Sequence, residues 1–250
     1  MIKFLVNPKF ESLRSYLQHI PKQMLKEGKT LYHKRNLIKE LVAPDGMHIN
    51  VKRYQQPFFL NNLIYSTSIR KPKGLRAFEY PFILAKKGIS TPESVAYIEE
   101  RRWGLLKYCY FISVQAQGYN TLYWLGHATP KACEDMVPAL AAFTASMHEK
   151  GVLHKDYSPG NILYKVENEK YVFTIVDINR MHFGQVDMQT GCSNFARLWG
   201  PKQFIIQTVR EYARIRGFNP DECEQLALQY RADFWKRYQK KHPVEFKLEL

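Results

Sequence analysis

The chain has 250 residues, of which 45% are hydrophobic and 14% are aromatic. This composition excludes an intrinsically disordered protein and is sufficient for one or two hydrophobic cores. The formal net charge of +14 predicts a polyanionic partner: a nucleic acid, an anionic membrane surface or a phosphorylated substrate.

The cysteine spacing and the hydropathy indicate the cellular compartment and the kind of membrane association. The four cysteines are widely spaced along the chain, at Cys109, Cys133, Cys192 and Cys223. The sequence therefore predicts neither a zinc site nor a disulfide framework, and a reducing cytoplasm is the expected compartment. No apolar run approaches the roughly 18 residues of a membrane-spanning helix, so we expect any membrane association to be peripheral.

The first half of the chain is expected to form five antiparallel strands. They are predicted at residues 30–32, 37–42, 47–54, 94–99 and 106–114, where apolar residues alternate between turn residues. In the third strand Ile49 and Val51 share one face, and Lys52 lies on the other. A lysine at this position suits neutralisation of the α- and β-phosphates of ATP, although most lysines at strand ends are only solvated.

An aromatic stretch follows the third strand. Residues 55–74 contain Phe58, Phe59 and Tyr65, and basic residues follow at Arg70 and Lys71. One interpretation is a segment that lies against an anionic membrane surface, where each basic residue contributes on the order of 1 kcal/mol. The other is an insertion helix that packs on its own lobe.

A helix is predicted next, with Phe78, Phe82 and Ala85 on one face and Gly88 at its end. Glu79 lies on this helix. In a kinase, a glutamate on a helix pairs with the strand lysine and directs it toward the phosphates, so Glu79 is the candidate partner of Lys52.

The segment after the fifth strand, residues 115–118, is predicted to be a hinge. Backbone N–H and C=O groups at Gln115 and Gln117 suit hydrogen bonding to an adenine edge. The expected organisation is one bilobal domain, in which residues 1–117 clamp the nucleotide phosphates and residues 118–250 carry the catalytic loop and the metal site.

A catalytic loop is predicted at residues 154–161, which read HKDYSPGN. Asp156 suits acceptance of a hydroxyl proton, and the amide of Asn161 suits a metal ion, the combination used in phosphoryl transfer. Pro159 and Gly160 favour a turn between two short apolar strands. This loop is the strongest functional signal in the chain.

A return strand at residues 171–176 ends on Asp177. Because this strand is expected to form a hairpin with the strand after Asn161, Asp177 and Asn161 are predicted to meet at one magnesium site. The remaining sequence is predicted to be helical and to complete a small second lobe.

The two motifs together, HKDYSPGNIL at residues 154–163 and VDINRM at residues 176–181, resemble the protein-kinase-like superfamily and, within it, the lipopolysaccharide kinases that phosphorylate Kdo or heptose of the inner core. Further similarity lies at residues 35–36, 51–53, 78–80, 88–93 and 194–198. The resemblance implies an α+β, protein-kinase-like bilobal fold, with a five-stranded antiparallel N-lobe carrying one main helix and a small, mostly helical C-lobe. It also implies ATP, Mg²⁺, an anionic glycolipid acceptor (lipid A-core) and work at the cytoplasmic face of the inner membrane.

The sequence departs from protein kinases in several places. It has no glycine-rich loop, so phosphate contacts are expected from backbone amides of the turn at residues 33–36, with Lys34 or Arg35. Ser158 stands where protein kinases commonly place a lysine, and residues 177–179 read DIN. No Ala-Pro-Glu segment follows Asp177, which disfavours a regulated protein kinase.

Two alternatives remain open from the sequence. A small-molecule kinase or a Ser/Thr/Tyr protein kinase of the same fold would share every predicted catalytic residue and differ in its acceptor. A catalytically silent kinase-like module that binds anionic lipid is less consistent with the complete set of Lys52, Glu79, Asp156, Asn161 and Asp177. Nucleic acid binding is not expected, because no recognition motif accompanies the charge.

Overall fold

The computed structural model describes residues 2–55 and 71–250. The chain divides into two compact units, Met1–Gln117 and Gly118–Leu250. Most of the aromatic stretch considered for membrane contact, residues 56–70, lies outside the described residues, so the choice between its two interpretations stays open.

The first unit is built on an antiparallel sheet of six strands with the order β1-β5-β6-β4-β3-β2. The strands are β1 (Ile2–Val6), β2 (Lys29–His33), β3 (Leu37–Val42), β4 (His48–Tyr54), β5 (Ser94–Arg102) and β6 (Leu105–Val114). The prediction of five strands is therefore wrong by one. The additional strand β1 pairs along β5, with Ile2 opposite Glu100 and Val6 opposite Ala96.

Helices cover both faces of this sheet. On one face, a 3₁₀ segment (Pro8–Leu13), α1 (Arg14–Leu17) and α2 (Ile20–Lys26) bring Leu17, Ile20 and Met24 onto Ile49 and Val51. Burial of these apolar side chains accounts for the N-terminal helical segment.

The other face of the sheet packs against α3 (Lys73–Lys86). The predicted apolar face of this helix is partly wrong: Phe78 is buried, but Phe82 is 38% exposed and Ala85 is exposed. The buried residues that follow Phe78 are Pro81 and Leu84, and their spacing of three residues keeps them on the same face of the helix as Phe78.

Gly74 permits close approach of α3 to the sheet. A Cβ at this position would lie 3.0 Å from the Tyr97 ring and 3.1 Å from the Cys109 thiol. A larger residue would push the first turn of the helix outward, because both neighbours are buried side chains.

The second unit combines short strands with helices. The strands are β7 (Asn120–Thr121), β8 (Val152–His154), β9 (Ile162–Glu167), β10 (Lys170–Ile175) and β11 (Met181–Phe183), and the helices are α4 (Pro130–Cys133), α5 (Val137–Glu149), α6 (Met188–Asn194), α7 (Lys202–Arg216) and α8 (Pro220–Gln239). Strands β10, β9 and β7 form one sheet, and β11 pairs with β8.

Buried side chains from α5 and α7 form much of the core of the second unit. Leu140 and Met147 of α5 are fully buried, as are Phe204 and Tyr212 of α7. Helix α7 ends at Gly217, which adopts the left-handed conformation (φ +66°) that glycine accepts without steric cost.

The four cysteines are buried free thiols. Among the described residues, no helix combines the length and the apolar composition needed to cross a membrane.

Candidate active site

Lys52, the predicted phosphate-binding lysine, lies on the α3 face of the first unit. Its side chain is nearly buried, with 8% of the residue exposed, and its Nζ lies 5.1 Å from the centre of the Tyr54 ring. The register pairs Lys52 with Ile38 of β3 and Phe111 of β6. Lys52 is therefore paired on both sides in the sheet and largely shielded from solvent. This does not fit the alternative interpretation, a solvated lysine at a strand end.

Glu79, its predicted partner, lies in the middle of α3, which continues through Pro81. In the structure the Glu79 carboxylate accepts hydrogen bonds from Lys71 Nζ, at 2.9 Å to Oε1 and 2.7 Å to Oε2. Lys71 is exposed, so this ion pair has little effect on stability. The pairing of Glu79 with Lys52 stays a prediction.

The three other residues predicted to contact nucleotide also belong to the first unit. Arg35 is exposed in the turn between β2 and β3. The backbone N–H of Gln115 donates to His48 O at 2.9 Å, and Gln115 O accepts from Gln117 N at 2.9 Å. Gln117 is exposed. Gln115 O can accept a second hydrogen bond, whereas an adenine that accepted a bond from Gln117 N–H would have to displace the bond between Gln117 N and Gln115 O.

The catalytic loop is anchored by buried His154. Its Nε2 lies 2.9 Å from Val176 O, and its Nδ1 lies 3.1 Å from the backbone N of Asp156. Only the neutral tautomer with hydrogen on Nε2 satisfies both contacts, since a carbonyl must accept and an N–H must donate. Burial lowers the pKa of His154, which favours the same neutral form.

Hydrogen bonds within the loop fix Asp156 and Asn161 relative to each other. Asn161 Nδ2 donates to Asp156 O at 2.8 Å, and backbone bonds run from Ser158 N to Asp156 O and from Asn161 N to Ser158 O, each 2.9 Å. Because its amide nitrogen is used inside the loop, the side-chain oxygen of Asn161 is the atom available to a metal ion.

The hairpin of β9 and β10 brings Asn161 and Asp177 to the same end. Ile162 pairs with Ile175, and Val176 N donates to Asn161 O at 3.0 Å, so Asp177 is one residue beyond the pair. Asp177 has a φ of 54°, a strained conformation for a residue other than glycine, of the kind that is concentrated at functional sites. Asn179 Nδ2 donates to Asp177 Oδ1.

This donor set fits Mg²⁺ better than a transition metal. Asp177 and Asn161 offer one carboxylate and one amide oxygen, and the described residues contain no cluster of three or more His, Cys, Asp or Glu side chains that could hold a metal. Mg²⁺ commonly binds through one or two protein oxygens and completes its shell with phosphate oxygens and water.

Asp156 forms an ion pair with Arg197, which follows α6. The Arg197 guanidinium also lies 4.9 Å from the centre of the Phe234 ring of α8. Both charged side chains are partly exposed, at 29% for Asp156 and 37% for Arg197. Because the Asp156 carboxylate is paired but still accessible, it can accept a hydrogen bond from a hydroxyl of a bound molecule.

Asp156 and Arg197 line a groove of about 630 Å³ within the second unit. This volume is typical of a small-molecule site. Seven of the fifteen lining residues are Phe, Trp or Tyr, and we call this site the aromatic groove. The lining residues are Tyr123, Trp124, His127, Asp156, Ser158, Pro159, Arg197, Trp199, Phe234, Trp235, Tyr238 and residues 243–246.

Buried Arg231 organises the far wall of this aromatic groove. Its Nη1 donates to Leu198 O, its Nη2 lies 3.4 Å from Gly200 O, and it contacts the Trp235 ring. These bonds join α8 to the segment that carries Trp199. Burial lowers the pKa of Arg231 to about 10, and the backbone carbonyls offset the cost of the buried charge.

Comparison with known proteins defines the class. The family model described as "Lipopolysaccharide kinase (Kdo/WaaP) family" matches residues 17–201. A solved structure titled "WaaP in complex with acyl carrier protein" is similar at 15% sequence identity and a TM-score of 0.61, covering 96% of this chain and 100% of that chain. The protein thus has the kinase-like fold and is an ATP-dependent kinase. Because the family match spans well over half of the chain, it belongs to the lipopolysaccharide kinase (Kdo/WaaP) family.

More distant kinases are also similar. A Rio2 kinase from Chaetomium thermophilum, in a complex with ADP, Mg²⁺ and phosphoaspartate, is 13% identical with a TM-score of 0.47, covering 97% of this chain and 65% of that chain. The amicoumacin kinase hAmiN is 13% identical with a TM-score of 0.49, covering 94% and 79%. No curated protein matches the chain in sequence.

Sequence reasoning missed Arg197 and the aromatic groove as parts of the site. Arg197 falls in the segment 194–198 that resembles the family, but no local pattern predicts its ion pair with Asp156. Phe234 and Trp235 lie beyond the residues matched by the family model, and no local motif marks them.

Proposed function

We propose that the protein transfers the γ-phosphoryl group of ATP to a hydroxyl of Kdo or heptose in the lipopolysaccharide inner core. The observation that carries this proposal is the position of Asp156 in the wall of the aromatic groove, beside Arg197. This position places the expected proton acceptor, Asp156, next to aromatic side chains that suit a sugar ring.

The groove has the chemistry of a carbohydrate site. Aromatic faces suit the apolar faces of sugar rings, and indole N–H groups suit their hydroxyls. Within the described part of the chain, the buried Nε1 atoms of Trp124 and Trp235 have no hydrogen-bond acceptor. Buried donors are normally satisfied, and the buried position of these two atoms suits a bound water behind the wall of the groove.

Arg197 gives the groove its preference for an anionic acceptor. Its guanidinium already binds the carboxylate of Asp156, so its geometry suits a carboxylate or phosphate of the acceptor as well. An acidic sugar that engaged Arg197 would bring its neighbouring hydroxyl to Asp156. The net charge of +14 favours the same acceptor through attraction of the anionic glycolipid to the protein.

In the proposed reaction, the oxygen of the acceptor hydroxyl attacks the γ-phosphorus of ATP and ADP leaves. Asp156 accepts the proton of that hydroxyl. Lys52, oriented by Glu79, neutralises the nucleotide phosphates, with further contacts from Arg35, Gln115 and Gln117. Asn161 and Asp177 would hold Mg²⁺, which when bound neutralises charge on the phosphate oxygens. The reaction takes place at the inner-membrane surface, where the lipid A-core acceptor is found.

An acceptor competition tests this proposal. The purified protein is incubated with γ-labelled ATP and, separately, Kdo-lipid A, lipid A-core containing heptose, a peptide pool and an aminoglycoside pool. Label in either glycolipid and not in the other pools supports the proposal. Label in peptide or antibiotic would favour the other kinase classes, and ATP hydrolysis with no label in any of the four pools would contradict transfer to a sugar hydroxyl.

A further inference from the structure

The hairpin between β5 and β6 has an unusual turn. Arg102 pairs with Leu105, so Trp103 and Gly104 are the two residues of the loop. Both have positive φ values, 52° and 80°, as in the type I′ turn that matches the twist of two-residue hairpins.

Tryptophan is a poor choice for the first position of this turn. The left-handed conformation brings its Cβ against the backbone, and Asn or Asp followed by Gly is the favoured pair. The hairpin of β9 and β10 shows the usual solution in the same chain: its two loop residues, Asn168 and Glu169, also have positive φ values, 48° and 62°, and Asn occupies the first position.

Packing does not account for Trp103. The residue is 88% exposed, more than any other exposed large hydrophobic residue in the described part of the chain. The other three tryptophans, Trp124, Trp199 and Trp235, line the aromatic groove of the second unit. A large apolar ring at a strained backbone position, with little contact to the fold, is the kind of local strain kept at functional sites and points to a partner outside the chain.

One cation contacts this ring, and a second lies close to it along the chain. The Arg102 guanidinium lies 4.6 Å from the centre of the Trp103 ring, and exposed Lys107 lies over Tyr108. Arg101 holds the turn itself, since its Nη1 donates to Gly104 O at 3.0 Å and its Nε to the buried Glu99 carboxylate at 2.5 Å. An exposed indole beside exposed cations is the combination found at membrane interfaces, where tryptophan lies at headgroup level and Lys or Arg bind anionic lipid.

We propose that Arg102, Trp103, Gly104 and Lys107, here called the hairpin tip, dock the protein on an anionic lipid surface, with Trp103 in the headgroup layer. This site goes beyond the proposed transfer reaction and rests on it only for the identity of the membrane. Arg101 holds the backbone of this turn through Gly104 O, so docking would carry little ordering cost for the backbone.

Vesicle binding tests the hairpin tip. The full chain is sedimented with vesicles of phosphatidylethanolamine and phosphatidylglycerol (3:1) or of phosphatidylcholine alone. Trp103→Asn is the informative variant, because Asn suits the turn better than Trp and should fold at least as well. We expect it to lose about tenfold or more in binding to the anionic vesicles, and Arg102→Gln to lose about fivefold. Trp103→Phe should retain most of the binding.

Two controls make the result decisive. Val166→Ser removes a 57% exposed apolar residue from the other hairpin and should leave binding unchanged. Brominated lipid should quench part of the tryptophan fluorescence of the natural protein but not of Trp103→Asn. Unchanged vesicle binding by Trp103→Asn, an equal loss with Val166→Ser, or equal binding to phosphatidylcholine would overturn the proposal.

A water-soluble acceptor separates this test from that of the proposed function. Trp103→Asn should phosphorylate a delipidated core oligosaccharide as fast as the natural protein does. If the natural protein labels no sugar acceptor at all but vesicle binding still depends on Trp103, the transfer proposal fails and the docking proposal stands.

Discussion

Arg197 donates a hydrogen bond from its guanidinium to the carboxylate of Asp156, the group that the proposed reaction uses as its base. An acceptor hydroxyl therefore meets a carboxylate that is already oriented, next to a cation that can bind an acidic group of the same acceptor. Phe234 supports the guanidinium from α8. This relationship links the proposed base to a groove formed partly by α8.

Replacement of Arg197 by Met tests its role in acceptor binding. We expect KM for the anionic glycolipid to rise about tenfold to a hundredfold, because a charge-assisted hydrogen bond contributes roughly 1.5–3 kcal/mol, while KM for ATP stays within twofold. Steady-state kinetics with each substrate varied in turn gives both values.

The matched control is Arg214→Met, which removes an arginine that pairs with Glu211 at the surface. It should change neither KM. Equal increases in the two KM values of Arg197→Met, or a change only in thermal stability, would contradict an acceptor-binding role.

The partner of Glu79 can be decided by a pair of lysine variants. Lys52→Met should lower kcat/KM for ATP about tenfold to a hundredfold through loss of a charged phosphate contact, and Glu79→Gln should lower it in the same direction. Lys71→Met, which removes the partner seen in the structure, should change it less than twofold. A large loss with Lys71→Met and none with Lys52→Met would show that Lys71, and not Lys52, contacts the nucleotide.

Asp177→Asn tests the metal site. The substitution keeps the size of the side chain but removes the charge, so the Mg²⁺ concentration required for half-maximal ATP binding should rise about tenfold or more. Calorimetric titration of ATP at several Mg²⁺ concentrations measures this without turnover. Asp233→Asn, at an exposed position on α8, is the control; an unchanged Mg²⁺ requirement in Asp177→Asn would exclude Asp177 as a ligand.

Buried His148 predicts acid sensitivity. It contacts Tyr212 Oη at 3.0 Å and Asn194 Oδ1 at 3.2 Å, and burial lowers its pKa from 6.5 to about 4. The unfolded chain gains a proton as the pH falls below 6.5, whereas the folded chain does so only near 4. Stability is thus full above pH 6.5 and is lost between 6.5 and 4, by about 3 kcal/mol for this residue.

Urea denaturation from pH 7.5 to pH 4.5 measures this loss. His148→Gln should reduce the pH dependence of the free energy of unfolding, and His182→Gln, at an exposed position, should not. Buried His154 contributes in the same direction, because burial lowers its pKa as well, so part of the dependence should remain. An identical slope in His148→Gln and the natural protein would contradict the assignment.

Local sequence patterns were sufficient for the parts of the site that are close along the chain. The loop that carries Asp156 and Asn161, and the hairpin that brings Asp177 to Asn161, are encoded by turn residues and alternating apolar strands. The family resemblance and the kinase-like fold that it implied are confirmed by the family match and by the similarity to the WaaP structure.

Contacts between distant segments could not be predicted in this way. Strand β1 pairs with β5, far along the chain, and no turn joins them to give a signal. The ion pair of Arg197 with Asp156 and the aromatic wall from α8 depend on how helices pack in three dimensions. The sequence pattern likewise predicted helix α3 but placed Phe82 on its buried face, where the structure has Pro81 and Leu84.

The most direct test of the account is phosphate transfer by Asp156→Asn. With γ-labelled ATP and Kdo-lipid A or heptose-containing lipid A-core, we expect transfer to fall about 10²- to 10⁴-fold, the usual effect of losing a general base, while thermal stability and ATP binding are retained. Asp135→Asn, at an exposed position, should transfer normally. Unchanged transfer in Asp156→Asn would contradict the central claim that this carboxylate accepts the proton of the sugar hydroxyl.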